Sequence, residues 1–188
     1  KKELMTDWDK KAHWEAVYTN KQVHEVSWYQ PVPETSLRLL EEAQLPKDAR
    51  IIDVGGGDSF FADHLLALGY TDITVVDISE KALERAKNRL GERAQNVKWI
   101  VADASRLELP ESMDFWHDRA VFHFLTDPED IRNYIRVLNT YVKEGGILNL
   151  GTFSEDGPEK CSGISIKQYS EKTLTEVVGE EFEPIRCF

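Results

Sequence analysis

The sequence predicts a doubly wound α/β fold on a mainly parallel sheet, and two observations carry that prediction. From Arg50 onward, short β-branched apolar runs alternate with segments of helical period, which is the pattern of βαβ units. The first run, IIDV at 51–54, passes through three glycines straight into the apolar segment FFADHLLALG, a strand, a tight turn and a helix. Such strands are near-continuously apolar because helices cover both faces of the sheet.

In order along the chain, residues 1–48 read as a helical cap and 49–188 as the α/β body of one domain. The cap carries Trp8, Trp14, Trp28, Tyr18 and Tyr29, then a proline-bounded helix from Glu34 to Ala43. IIDV is followed by a helix ending near Gly69, and ITVVDI by EKALERAKNRLG. In that second helix Ser79 is the N-cap, Ala82, Leu83, Ala86 and Leu90 share a face, and Gly91 is the stop. VKWIVAD and SMDFWHDRA are the third and fourth strands. Asp127-Pro128 starts the next helix, with Pro at a position whose missing N–H costs nothing. GGILNLGTF is the fifth strand, a loop of substrate-binding length runs from Gly151 to Ser170, and EEFEPIRCF reads as a sixth strand. Opening on Lys1 and stopping just after that run, the chain reads as trimmed.

Composition narrows the function. A net charge of −11 and the lack of any lysine or arginine block argue against nucleic acid as substrate. No apolar run approaches the roughly 20 residues of a membrane helix, and the N-terminus lacks a signal-peptide core. Cys161 and Cys187 are too few for a disulfide framework, so a reduced, cytoplasmic protein is expected. Scattered histidines and two distant cysteines give no metal-ligand spacing, and no metal is expected.

The glycine turn points to a nucleotide-like ligand, because bare backbone N–H groups and a helix N-terminus approach closely only where no Cβ intervenes. The dinucleotide spacing G-x-G-x-x-G fails, since Phe60 stands at its third glycine. Asp53, directly before the turn, places a carboxylate beside the ligand and suits a positively charged group better than a pyrophosphate.

Asp53, Gly55 and Gly57 resemble motif I of the class I S-adenosylmethionine-dependent methyltransferases, acid-x-Gly-x-Gly-x-Gly, with Ser59 at the last glycine. Further resemblances follow at the expected intervals. Asp77, with Ile78, ends the second strand where the family's acid holds the ribose hydroxyls, VADAS places Asp103 and Ala104 at the adenine, and VKEGG precedes the fifth strand. The resemblance covers Arg50 to Gly151 and implies a Rossmann-like sheet of the seven-stranded type, whose last antiparallel strand would follow residue 188. It implies S-adenosylmethionine as cofactor and S-adenosylhomocysteine as product.

In that family the residues facing the substrate lie at the end of strand four, here His117, Asp118 and Arg119. His117 or Asp118 is the candidate base or substrate orienter, with His117 also at the cofactor. Arg119 is the candidate partner of Asp118 or of an anionic substrate; the alternative is a buried pair that only shapes the site. His123 reads as a packed histidine. Trp28 and Tyr29 in SWYQP are either an aromatic lid over the sulfonium or a plug between cap and sheet. The expected function is methyl transfer to a small-molecule acceptor. The alternatives are a protein lysine methyltransferase and a non-catalytic cofactor-binding relative.

Overall fold

Five of the apolar runs pair side by side in a computed structural model that describes residues 7–119 and 121–188. They are β1 (Arg50–Val54), β2 (Asp72–Asp77), β3 (Val97–Val101), β4 (Met113–Asp118) and β5 (Val142–Leu150), in the order β3-β2-β1-β4-β5. Every neighbouring pair is parallel. The chain builds outward from β1 through β2 to β3, then returns to β1's other side with β4. That reversal opens a crevice at the carboxyl ends of β1 and β4, where Asp53 stands beside His117 in register.

Alternation along the strands sorts their side chains onto two faces. Ile51, Ile73, Val75 and Phe115 pack under α2 (Glu34–Glu42), α3 (Phe61–Ala67) and α4 (Glu80–Leu90). Ile52, Val76 and Trp116 pack against α5 (Pro128–Tyr141) and α6 (Glu171–Val178). Asp53, Asp77 and His117 therefore share the first face, and Asp118 falls on the second.

The helix starts follow the side-chain chemistry of their caps. The Ser79 hydroxyl accepts from the Ala82 N–H at 3.1 Å, and the Asp127 carboxylate from the Glu129 N–H at 2.7 Å. The cap helix α1 (Asp7–Asn20) adds to the first of these ends, for Glu15 accepts from the Glu80 N–H at 2.7 Å and the Lys81 N–H at 3.3 Å. Arg85 of α4 returns the contact by donating to the Tyr18 and Lys21 carbonyls. The side chain of Trp8 lies outside the described residues.

Two expectations are corrected. EEFEPIRCF forms no strand: charged Glu residues and Pro184, which lacks an N–H, suit a ladder poorly. The segment instead lies along α2, with Arg186 paired to Glu42 at 2.6 Å and Phe188 beneath Arg38. The fifth strand begins earlier than expected, at Val142, and absorbs Gly145 through a register shift opposite Met113 and Phe115. The loop after β5 holds a small antiparallel hairpin, β6 (Lys160–Cys161) and β7 (Ile164–Ser165), turning at Ser162-Gly163 with positive φ at both residues. Among the described residues no helix is long and apolar enough to cross a membrane.

Candidate functional site

A cavity of about 1080 Å³ occupies the crevice. Asp53, Gly55, Gly56, Asp77, Asp103 and Ala104 line one end. The other end is walled by Trp14, His123, Phe124, Phe153 and the β6–β7 hairpin. Ile78, Trp28, His117 and Arg119 lie on the wall as well.

The glycine turn is tied to β2 by the Gly55 and Gly56 N–H groups, both directed at the Val76 carbonyl, at 2.7 and 3.2 Å. Gly55 has φ +69, and a Cβ there would stand 2.0 Å from Val121 Cγ2. At Gly56 a Cβ would meet Asp53 Oδ2 at 2.5 Å. Gly57, expected at the ligand, lies behind the cavity wall; its missing Cβ leaves room for Asp77, whose Oδ2 would be 2.7 Å away. Ser59 lines the cavity and its hydroxyl accepts from the Phe61 N–H at 3.1 Å, starting α3.

Three carboxylates reach this end. Asp77 accepts from the Ser79 N–H at 2.8 Å, and burial, reinforced by the negative charges of Asp53 and Glu15, pushes its pKa up to about 7. Over it sits Tyr18, whose hydroxyl is driven well above its ordinary range by burial and by Asp77. Asp103 gives one oxygen to the Ser105 N–H and hydroxyl, at 2.8 and 2.7 Å, while its Oδ2 is buried without a partner. Asp53 likewise leaves Oδ2 buried and unpartnered.

His117 Nδ1 lies 2.7 Å from Asp53 Oδ1, and its Nε2 lies 2.8 Å from the Ser36 hydroxyl of α2. Both ring nitrogens are therefore occupied. Asp118, the other candidate base, turns to the opposite face, where it accepts from the Tyr134 hydroxyl and from the Val121 N–H at 2.8 Å. Its carboxyl is buried away from the cavity, and burial raises its pKa to about 6. Nor does Arg119 pair with Asp118: it donates to the Gln30 side chain and to the Trp28 carbonyl at 3.1 Å. Trp28 lines the cavity edge-on to Trp14, whereas Tyr29 is 36% exposed and packs on Phe60 outside it.

His123 was not expected here. It lies between Phe124 and Phe153, ring centroids 4.3 and 4.8 Å away, with both nitrogens unpartnered. Burial pushes its pKa down to about 4, so the ring is neutral. The signal in the sequence was a histidine between two phenylalanines directly after the strand end. Lys10 of α1 pairs with Asp130 of α5 at the same end, joining cap to body.

A methyltransferase domain family matches residues 51–146. The chain is 27% identical over 142 residues to the mouse (Mus musculus) eEF1A lysine and N-terminal methyltransferase, covering 74% of this chain and 20% of that protein. It is 31% identical over 108 residues to the malonyl-[acyl-carrier protein] O-methyltransferase of Bacillus anthracis, covering 57% of this chain and 38% of that one. The chain thus spans less than half of either relative. A structure solved for the conversion of a disulfide bond into a thioacetal group in echinomycin biosynthesis superposes with a TM-score of 0.71 at 22% identity, covering 89% of this chain and 77% of that one. A methyltransferase from Methanosarcina mazei gives a TM-score of 0.62 at 22% identity, with 73% and 81% covered. At such identities the structural likeness speaks for the fold alone.

Proposed function

We propose that this chain, which belongs to the methyltransferase-domain family and with it to the class I S-adenosylmethionine-dependent methyltransferases, methylates a small molecule enclosed in the crevice. The observation that carries the choice of acceptor is the continuation of the cavity past the three carboxylates into an aromatic-walled end. A volume of about 1080 Å³ is at the upper limit for one ligand of ordinary size, and leaves room for a nucleoside and a second small molecule.

The cofactor of the family is S-adenosylmethionine, and the residues present fit it. Asp77 would accept from both ribose hydroxyls, and the unpartnered Asp103 Oδ2 from the adenine amine. The unpartnered Asp53 Oδ2 suits the ammonium of the amino-acid end. When bound, the sulfonium supplies an already activated methyl group, so the protein needs to position the acceptor and, for a protic one, remove a proton. His117 has no free nitrogen for that task and Asp118 does not face the cavity. His123, whose ring nitrogens are buried without a partner on the cavity wall, is the proposed proton acceptor. Trp14 and Trp28 cover the reacting centre, and Arg119 fixes the Trp28 backbone there.

The two relatives act on different acceptor classes, eEF1A lysine in one case and malonyl-[acyl-carrier protein] in the other. A small acceptor is favoured here because the Lys10–Asp130 pair and the hairpin both line the cavity, walling it from cap and body. The test is to incubate the protein and methyl-labelled S-adenosylmethionine with a cell extract split into small-molecule and macromolecular fractions, against an Asp77→Ala control. Label appearing in the small-molecule fraction supports the reading. Label confined to precipitable protein refutes it in favour of a side-chain methyltransferase. Tight S-adenosylhomocysteine binding with no transfer to either fraction marks a non-catalytic relative.

A further inference from the structure

We propose that Ser36 is a positioning residue for the amino-acid end of the cofactor, acting through His117 on the carboxylate of Asp53. The inference rests on the reading of the crevice as the S-adenosylmethionine site. Its basis is a buried chain of hydrogen bonds that joins three elements distant in sequence. The Ser36 hydroxyl on α2 lies 2.8 Å from His117 Nε2 on β4, and His117 Nδ1 lies 2.7 Å from Asp53 Oδ1 on β1. Each of the three residues is 3% exposed.

Because a carboxylate oxygen accepts, Nδ1 donates in the His117–Asp53 bond, and Nε2 is the nitrogen that meets the Ser36 hydroxyl. The order serine, histidine, aspartate is that of acyl-transfer triads, but the chemistry is different here. Ser36 lies outside the cavity, so no substrate reaches its oxygen, whereas Asp53 and His117 line it. The working end of this relay is therefore the carboxylate. With Oδ1 pinned by His117, the free Oδ2 stays buried at the cavity, in contact distance of the only kind of residue that fits beside it, since a Cβ on Gly56 would meet it at 2.5 Å. The imidazole is held in turn by the ring of Phe61, centroids 4.2 Å apart and 30° from parallel.

Ser36 also stands out within its own helix. It lies one turn before Leu40, on the buried face of α2. A hydroxyl at such a position ordinarily bonds back to its own helix or is replaced by an apolar side chain. Here it reaches across to the strand, so docking of α2 is what orients Asp53. A ligand cation meeting a fixed carboxylate loses less ordering entropy than one meeting a mobile carboxylate.

The experiment is calorimetric titration of wild type, Ser36→Ala and Ser36→Thr with two ligands. S-adenosylhomocysteine carries the ammonium, and 5′-methylthioadenosine keeps the nucleoside and sulfur but lacks the amino-acid end. We expect Ser36→Ala to weaken S-adenosylhomocysteine about tenfold, the worth of one hydrogen bond to a charged pair, and to leave methylthioadenosine within about twofold. Ser36→Thr, which retains the hydroxyl, restores affinity. In an Asp53→Asn background Ser36→Ala has no further effect on S-adenosylhomocysteine, as coupling through that carboxylate requires. Equal loss for both ligands would make Ser36 a support of the fold and overturn the proposal, as would no loss for either. Should Ser36→Ala not fold, Ser36→Cys, similar in size but a weak donor, gives the same selective loss. Failure of the wild-type protein to bind either ligand would instead sink the cofactor reading itself.

Discussion

With Asp77 as the proposed ribose-binding carboxylate, cofactor affinity should depend on pH. The Asp77 carboxyl is driven to a pKa of about 7, first by burial and then by Asp53 and Glu15, against the opposing N–H groups of Ser79 and Ile78. A ribose diol donates two hydrogen bonds and is held best by the ionised form. Protonation therefore competes with the ligand, and apparent Kd scales as one plus the ratio of protonated to ionised Asp77. Between about pH 8 and pH 6 that sum rises roughly tenfold, equivalent to about 1.4 kcal/mol. Calorimetry with S-adenosylhomocysteine across this range measures the slope directly. Equal affinity at the two ends would refute the assignment, as would a slope that survives in Asp77→Asn.

The same shift acts on the ligand-free protein with opposite sign. A carboxyl in the unfolded chain titrates near about 3.9, so the folded state binds this proton more tightly. The stabilising contribution is fully present below the unfolded value and is lost as pH rises through about 7. Acid should thus stabilise the free protein through Asp77 over this window while weakening the complex. Asp77→Asn should flatten the first trend, which a series of thermal melts checks even where the variant binds too weakly to titrate.

Other outcomes follow from single contacts. Gly55→Ala, with φ +69 and a Cβ 2.0 Å from Val121 Cγ2, should lose about 1–3 kcal/mol in urea unfolding. Tyr134→Phe removes the hydroxyl that donates to Asp118 and accepts from Trp116 Nε1 at 3.1 Å, and should cost about 1–3 kcal/mol. Since that bond favours ionised Asp118, whose pKa is about 6, the loss should be larger at alkaline than at acid pH, which paired urea curves read. His123→Ala should lower turnover of a protic acceptor by about a hundredfold or more and leave S-adenosylhomocysteine affinity within about twofold, as kinetics and calorimetry on the same samples will show.

The parts of the fold that were legible in the sequence are those written in local chemistry. The run from β1 through the glycines to α3 announces itself by an apolar period followed by residues that bare the backbone, and Ser79 and Asp127 mark helix starts by what their oxygens can accept. EEFEPIRCF misled because apolar residues among charges imitate a strand, while its partners, Glu42 and Arg38, come from far up the chain. The hairpin in the loop after β5 carried its turn signal in Ser162-Gly163, but strands of two residues leave no period to read. Ser36 was invisible for a stricter reason. Its partner His117 is 81 positions away, and nothing local distinguishes its hydroxyl from a solvated one.

At the end of β4 local chemistry leaves two candidates side by side. His117 and Asp118 are adjacent, and from the sequence either serves as the base. A strand sends adjacent side chains to opposite faces, so only one of the two can share the face of Asp53 and Asp77. The register of β4 against β1, with His117 beside Asp53 and Asp118 beside Val54, decides it. Once His117 is on that face, Asp53 and Ser36 occupy its nitrogens; once Asp118 is on the other, Tyr134 and the Val121 N–H claim its oxygens. Asp118 then does its work indirectly. By accepting from the N–H of Val121 it anchors the turn that follows, and that turn carries His123 to the cavity wall with both nitrogens free. Asp118, one of the two candidates for base or substrate orienter, holds the loop on which His123 sits.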